Sequence, residues 1–288
     1  MNAKQLKWFL LVFISLIWGS SFILIKKGLV GLNPFQLGAL RMIFAALFLL
    51  VIGFRTLSKI PAAKWKFIVL TALLGTFFPA FLFAIAETRI GSSVTGMLNS
   101  FTPLNTLVLG AFLFGLNFKR TQIIGVAVGL VGSLLLVFSG SGDQAATDYS
   151  YVFLVFIATI CYGTNVNLIK KYLSDLSPLT ISTGNFTAML IPSLIILFFS
   201  GFFGVMDLPQ VQHSVLFIII LGVVGTGIAN LLFFRLIQMS TPVFAASVTY
   251  LIPIVAFFWG LLDNEMLTPF QFLGACIILF GVYLSGKK

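Results

Sequence analysis

Long apolar runs alternate along this chain with short polar breaks, and each run is long enough to cross a membrane. A helix needs about 20 mostly apolar residues to span a bilayer. Ten runs qualify, near residues 8–25, 35–54, 67–86, 92–115, 121–139, 151–169, 179–200, 214–235, 243–262 and 269–286. The breaks carry proline, glycine, asparagine or charge, as in Gly31-Leu32-Asn33-Pro34 and Leu176-Ser177-Pro178. The longest polar stretch, Gly140 through Asp148, separates the first five runs from the last five. Lys4 and Lys7 precede the first run as they would in a signal peptide, but no small-residue cleavage site follows, so the run reads as a retained span.

The two sets of five repeat one another. Trp18-Gly19-Ser20-Ser21, Lys26-Lys27 and Asn33-Pro34 are echoed at a constant offset by Tyr162-Gly163-Thr164-Asn165, Lys170-Lys171 and Ser177-Pro178. Further on, Leu74-Gly75 pairs with Leu221-Gly222, Pro103 with Pro253, and Gln122-Ile123-Ile124-Gly125 with Gln271-Phe272-Leu273-Gly274. Five crossings per half invert the second copy in the bilayer. The expected fold is an all-α polytopic membrane protein, ten transmembrane helices as two inverted five-helix repeats (residues 1–142 and 149–288) forming one transport unit. Inverted repeats build secondary transporters, with the binding site between the halves near the midplane. Pro103 and Pro253 fall in the fourth span of each half, where each removes a backbone hydrogen bond and is expected to kink its helix.

Composition supports the membrane reading. The chain is 59% apolar and only 8% charged, with mean hydropathy +1.12, whereas soluble domains carry about 25% charged residues. Its net charge of +10 is scattered between apolar runs rather than gathered on one face, so a nucleic-acid partner is not expected. The positive-inside rule instead uses those charges to orient the chain. With the N-terminus cytoplasmic, the inner loops hold Lys4, Lys7, Arg55, Lys59, Lys64, Lys66, Lys119, Arg120, Lys170, Lys171, Arg235, Lys287 and Lys288, and the outer loops only Lys26, Lys27 and Arg89. Both termini are therefore expected in the cytoplasm, with the chain integral to a bacterial inner membrane. Cys161 and Cys276 lie in apolar runs and read as small hydrophobes; no metal site or cofactor is expected.

Polar groups inside spans turn from lipid toward the bundle interior or a cavity. Trp18 and Ser21 share a face of the first span, and Tyr162 with Asn165 repeats that geometry on the sixth. An aromatic ring beside a hydrogen-bonding group suits a small organic substrate; helix–helix packing is the alternative. Asn99, Thr102 and Thr106 surround Pro103, and Thr249 and Tyr250 precede Pro253. Of these, Asn99 and Tyr250 are the candidate substrate contacts, with Thr102 assigned to a carbonyl freed by the proline. Asn185, at the repeat position of Arg41, and Asn230 are further cavity candidates. Arg41 is the one charge well inside a span, at a cost of about 2.5–3.5 kcal/mol on insertion scales. Snorkelling and binding a substrate carboxylate both account for it. The lysine pairs at span ends read as interface anchors.

Trp18-Gly19-Ser20-Ser21-Phe22, Asn33-Pro34 and Arg41, then Thr241-Pro242 through Ala245-Ala246 to Pro253, Glu265, Gly274 and Gly281, resemble the EamA branch of the drug/metabolite transporters. The similarity covers nearly the whole chain, one unit per half. It implies a ten-helix carrier, commonly an exporter of amino acids or other small metabolites. The first half has Gly115 where the second has Glu265, so the resemblance gives that glutamate no transport role.

An intramembrane enzyme needs a nucleophile, acid–base pair or metal cluster within the spans, and a channel needs a ring of charges or a carbonyl filter; the sequence shows neither. Nucleotide sugars and phosphorylated metabolites call for several cavity cations, and one is present. A small neutral or zwitterionic substrate, amino-acid-like and exported by alternating access, is the expectation. No acidic residue sits at the midplane to relay protons, and Glu87 lies near a span end, so uniport, exchange or coupling through the substrate's own charge is expected. The oligomeric state is left open.

Overall fold

The computed structural model describes residues 2–90, 92–138, 149–262 and 269–286. The 140–148 stretch and Glu265, both singled out above, lie outside them. Ten helical spans follow in order: α1 (Ala3–Gly28), α2 (Pro34–Gly53), α3 (Ala62–Ala86), α4 (Ser92–Asn99 continuing as Thr102–Phe114), α5 (Arg120–Phe138), α6 (Tyr149–Tyr172), α7 (Pro178–Phe199), α8 (Pro209–Met239), α9 (Pro242–Ala246 continuing as Val248–Leu262) and α10 (Pro269–Ser285). No strand occurs among the described residues.

Two of the repeat landmarks, Asn33-Pro34 and Ser177-Pro178, are helix starts. Asn33 accepts from the backbone N–H of Phe35 and Gln36 while Gln36 reaches back to the Asn33 N–H, with Pro34 opening α2. Ser177 and Thr241 cap α7 and α9 in the same way, each followed by a proline in the first turn. A side-chain acceptor followed by proline satisfies donors the helix cannot. Outward faces are apolar: Val51, Phe112 and Phe199 are 85%, 84% and 81% exposed. Asn99, Asn165, Asn185 and Asn230 are buried instead. That inside-out polarity is what lipid as solvent demands.

Packing between spans obeys a two-fold relation that exchanges the halves. The α5–α10 and α2–α7 pairs join like with like; α4–α6 is mirrored by α9–α1, α3–α6 by α8–α1, and α3–α7 by α8–α2. The α5–α10 seam is the tightest. A Cβ on Gly281 would overlap the backbone nitrogen of Gly129, and one on Gly125 would lie 2.6 Å from the Ser285 nitrogen. Backbones meet there as small residues allow in membranes.

Polar ties close the face that carries both chain ends. Lys7 Nζ donates to the Gly286 carbonyl (3.1 Å). Lys170 Nζ donates to the carbonyls of Ile237, Gln238 and Ser240 (3.1, 3.0 and 2.7 Å), and Lys171 Nζ to that of Phe114 (2.9 Å). These lysines therefore cap the carboxyl ends of α8 and α4, where carbonyls lack helical partners and the dipole favours a cation. Lys64 pairs with Asp175 in the loops of the same face, and that contact holds the carboxyl below its ordinary range.

Two measurements check this packing. Gly281→Ala places a methyl against immovable backbone and is expected to cost roughly 1–3 kcal/mol, read as a lower Tm in detergent. The Lys64–Asp175 pair is formed above the ordinary carboxylate pKa and lost as pH falls through the depressed folded value. A small drop in Tm at acid pH, absent in Asp175→Asn and suppressed by salt, is expected of so exposed a pair.

Candidate functional site

Where the halves meet, the bundle encloses a cavity of about 770 Å³, the space at its mouth included. Its walls come mostly in repeat-related pairs: Trp18 with Tyr162, Ser21 with Asn165, Phe22 with Val166, Thr76 with Thr226, Phe83 with Phe233, Asn99 with Thr249, and Thr102 with Ile252. The first three pairs keep the offset of the helix-start landmarks. The other four keep the offset of Pro103 and Pro253. A site that straddles the two-fold relation is what inverted repeats produce.

Two aromatic pairs flank the space. The Trp18 and Phe233 ring centres lie 4.8 Å apart, edge to face, and those of Phe83 and Tyr162 lie 5.9 Å apart, stacked. Beside each pair the third span of its half widens into π-helix, over Leu73–Phe77 in α3 and Leu221–Ile228 in α8. Such turns displace the i→i−4 ladder and free backbone groups, and they recur at functional sites. Trp18 Nε1 donates to the Gly225 carbonyl of the second turn (3.0 Å), and Thr226 Oγ1 donates to the Leu221 carbonyl (2.9 Å). Thr226 Oγ1 in turn accepts from Arg41 Nε (2.7 Å).

Both turns carry two aliphatic residues followed by Gly-Thr, Leu73-Leu74-Gly75-Thr76 and Val223-Val224-Gly225-Thr226. Gly75 faces Asn165, and Gly225 faces Ser21, the repeat mate of Asn165. The match of Leu74-Gly75 with Leu221-Gly222 is thus three residues out of register. Thr76 and Thr226 were missed for that reason, although the Gly-Thr dipeptides were visible.

Of the nine sequence candidates, Trp18, Ser21, Arg41, Asn99, Tyr162, Asn165 and Asn230 line the cavity. Asn185 and Tyr250 do not. Asn185 is wholly buried between α7 and α3, where its amide, with nitrogen and oxygen exchanged to satisfy both, donates to Thr71 Oγ1 and the Ile68 carbonyl. Tyr250 lies over Gly129 of α5, and its hydroxyl donates to the Val126 carbonyl (2.8 Å). A buried asparagine or tyrosine needs a partner, and a neighbouring helix serves as well as a solute, so their sequence signal was the same. The fourth span is interrupted at Ser100-Phe101, and Pro103 sits in the first turn of the helix that resumes; in α9 the break falls at Ser247, ahead of Pro253 inside the helix. Thr102 donates to Asn99 Oδ1 (3.1 Å), and it is Thr106 that recaptures a carbonyl, that of Thr102 (2.8 Å).

The cavity is aromatic and mainly apolar, with polar groups set into a nearly symmetric wall, one cation, Arg41, and no carboxylate among its lining residues. Residues 6–138 and 149–286 each match the family described as "EamA-like transporter family". The chain belongs to that family. It is an integral membrane protein and a metabolite transporter, not an enzyme. A "Probable amino-acid metabolite efflux pump" of Escherichia coli strain K12 is 26% identical over 96% of this chain and 93% of its own. An "S-adenosylmethionine/S-adenosylhomocysteine transporter" of Chlamydia trachomatis is 26% identical over 96% of this chain and 90% of its own. A solved crystal structure, 15% identical, superposes with a TM-score of 0.74 over 98% of this chain and 96% of that one, which shows the shared fold.

The placements separate transport from stability in this EamA-like transporter. Tyr250→Phe removes one buried hydrogen bond, a loss of about 1 kcal/mol, and is expected to lower Tm in detergent while leaving transport kinetics in proteoliposomes unchanged.

Proposed function

We propose that this transporter exports a small zwitterionic, amino-acid-like metabolite across a bacterial inner membrane by alternating access. The two units, 1–142 and 149–288, act as one, with both termini cytoplasmic. One observation carries the reading: the single cation of the cavity. Arg41 is half-buried in the wall, anchored through Nε to Thr226. Its planar fork has two further amino groups to offer one carboxylate. A pyrophosphate or phosphorylated sugar brings more negative charge than one guanidinium balances, so the nucleotide-sugar alternative is the weaker one.

The relatives lend support from their printed names. One is called an amino-acid metabolite efflux pump; another carries S-adenosylmethionine and S-adenosylhomocysteine, both of which bear an α-amino-acid headgroup. The export direction follows the first of these names. The two aromatic pairs suit the apolar part of such a solute. The wide turns of α3 and α8 and the breaks in α4 and α9 give each half matched places to bend while the halves rock around the site.

Reconstituted protein offered labelled amino acids, sugars and nucleotides in turn is expected to move amino acids and not nucleotide sugars. Trp18→Ala and Asn99→Ala, each removing a cavity contact worth roughly 1–3 kcal/mol, should lower the rate about ten-fold or more while the protein stays folded and inserted. Selective nucleotide-sugar movement, or unchanged rates in both variants, would overturn the reading.

A further inference from the structure

Asn165 is the one lining residue with a fully buried side-chain atom that no protein group satisfies. It is 2% exposed, and its Oδ1 meets no hydrogen-bond donor among the described residues. Leaving a buried acceptor empty is costly. Its neighbours in the cavity are otherwise engaged. Its repeat mate Ser21 donates to its own helix at Ile17 (2.9 Å), Asn230 donates to the Thr226 carbonyl (2.8 Å), and Asn99 Oδ1 accepts from Thr102. The Asn165 amide rests against Gly75 in the wide turn of α3, so close that any Cβ there would overlap it. With glycine at 75 no side chain stops the amide from turning toward the cavity.

Resting on the zwitterion reading above, we propose that Asn165 Oδ1 receives the substrate's α-ammonium, while Arg41 on α2 receives its carboxylate. The chemistry follows from what the cavity lacks. With no carboxylate among its lining residues, an incoming cation is received by a neutral acceptor and aromatic faces. Asn165 supplies the acceptor, and Tyr162, one helical turn away on α6, supplies a ring. The repeat then has a division of labour: α1 and α8 bind one another and Arg41, whereas α6 and α3 leave an open acceptor. Substrates with a free ammonium fit; N-acylated or 2-oxo analogues, which keep the carboxylate and lose the cation, do not.

Proteoliposomes holding the full chain test this with tritium-labelled L-phenylalanine, L-leucine and L-threonine, run separately. Each is competed by its unlabelled self, its N-acetyl derivative and its 2-oxo acid. A charge-assisted hydrogen bond of ordinary strength predicts that the analogues compete roughly ten-fold or more weakly against the intact protein. Asn165→Ala should bring analogue and amino acid to within about two-fold of each other, and Gly75→Ala, which displaces the amide without removing it, should do the same. Asn165→Asp keeps an acceptor and should keep the discrimination, a rescue that a packing role would not show. Equal competition by analogues in the intact protein, or full discrimination retained in Asn165→Ala, overturns the ammonium site and leaves the amino-acid carrier standing. No movement of any labelled amino acid overturns the carrier reading and this inference with it.

Discussion

Lipid offers no hydrogen bonds, and the whole molecule is arranged around that refusal. Every backbone carbonyl and every buried amide must find its partner inside the bundle. The lysine ammonium groups that close the ends of α8 and α4 on the termini face do so for carbonyls with no helical donor left. The wide turns of α3 and α8 displace backbone groups at membrane depth, and in α8 the indole of Trp18 takes up one of them. The unsatisfied oxygen of Asn165 is an exception at the cavity wall.

The cavity is symmetric in shape and asymmetric in charge. Aromatic pairs, hydroxyls and wide turns occur twice, once in each half, but the guanidinium occurs once. At the position that mirrors Arg41 the second half has Asn185, which turns away to bond with α3. On the proposed reading, duplicated geometry supplies the paired places at which each half bends, and the single charge gives a bound solute a head and a tail.

Much of this was legible in the chain itself. The ten spans are set by hydrophobic length, and the asparagine, serine and threonine caps with their following prolines mark where helices begin. Trp18, Ser21, Tyr162 and Asn165 were found because repeat position and helical spacing agreed on one face. The failures share a physical cause. A buried polar side chain looks the same in sequence whether it lines a cavity, as Asn99 does, or meets another helix, as Tyr250 and Asn185 do. Two similar dipeptides, Leu74-Gly75 and Leu221-Gly222, lie three residues away from the register in which Gly75 matches Gly225. Nor does the sequence show that Lys170 folds back onto carbonyls from a different part of the chain.

The α5–α10 and α2–α7 seams each join the same element of the two halves. Gly129 and Gly281 meet there backbone to backbone, with no room for a methyl group. A surface that fits its own copy is the surface a symmetric dimer uses. This single polypeptide thus folds back on itself through seams of the kind by which two copies of one five-helix unit would pair.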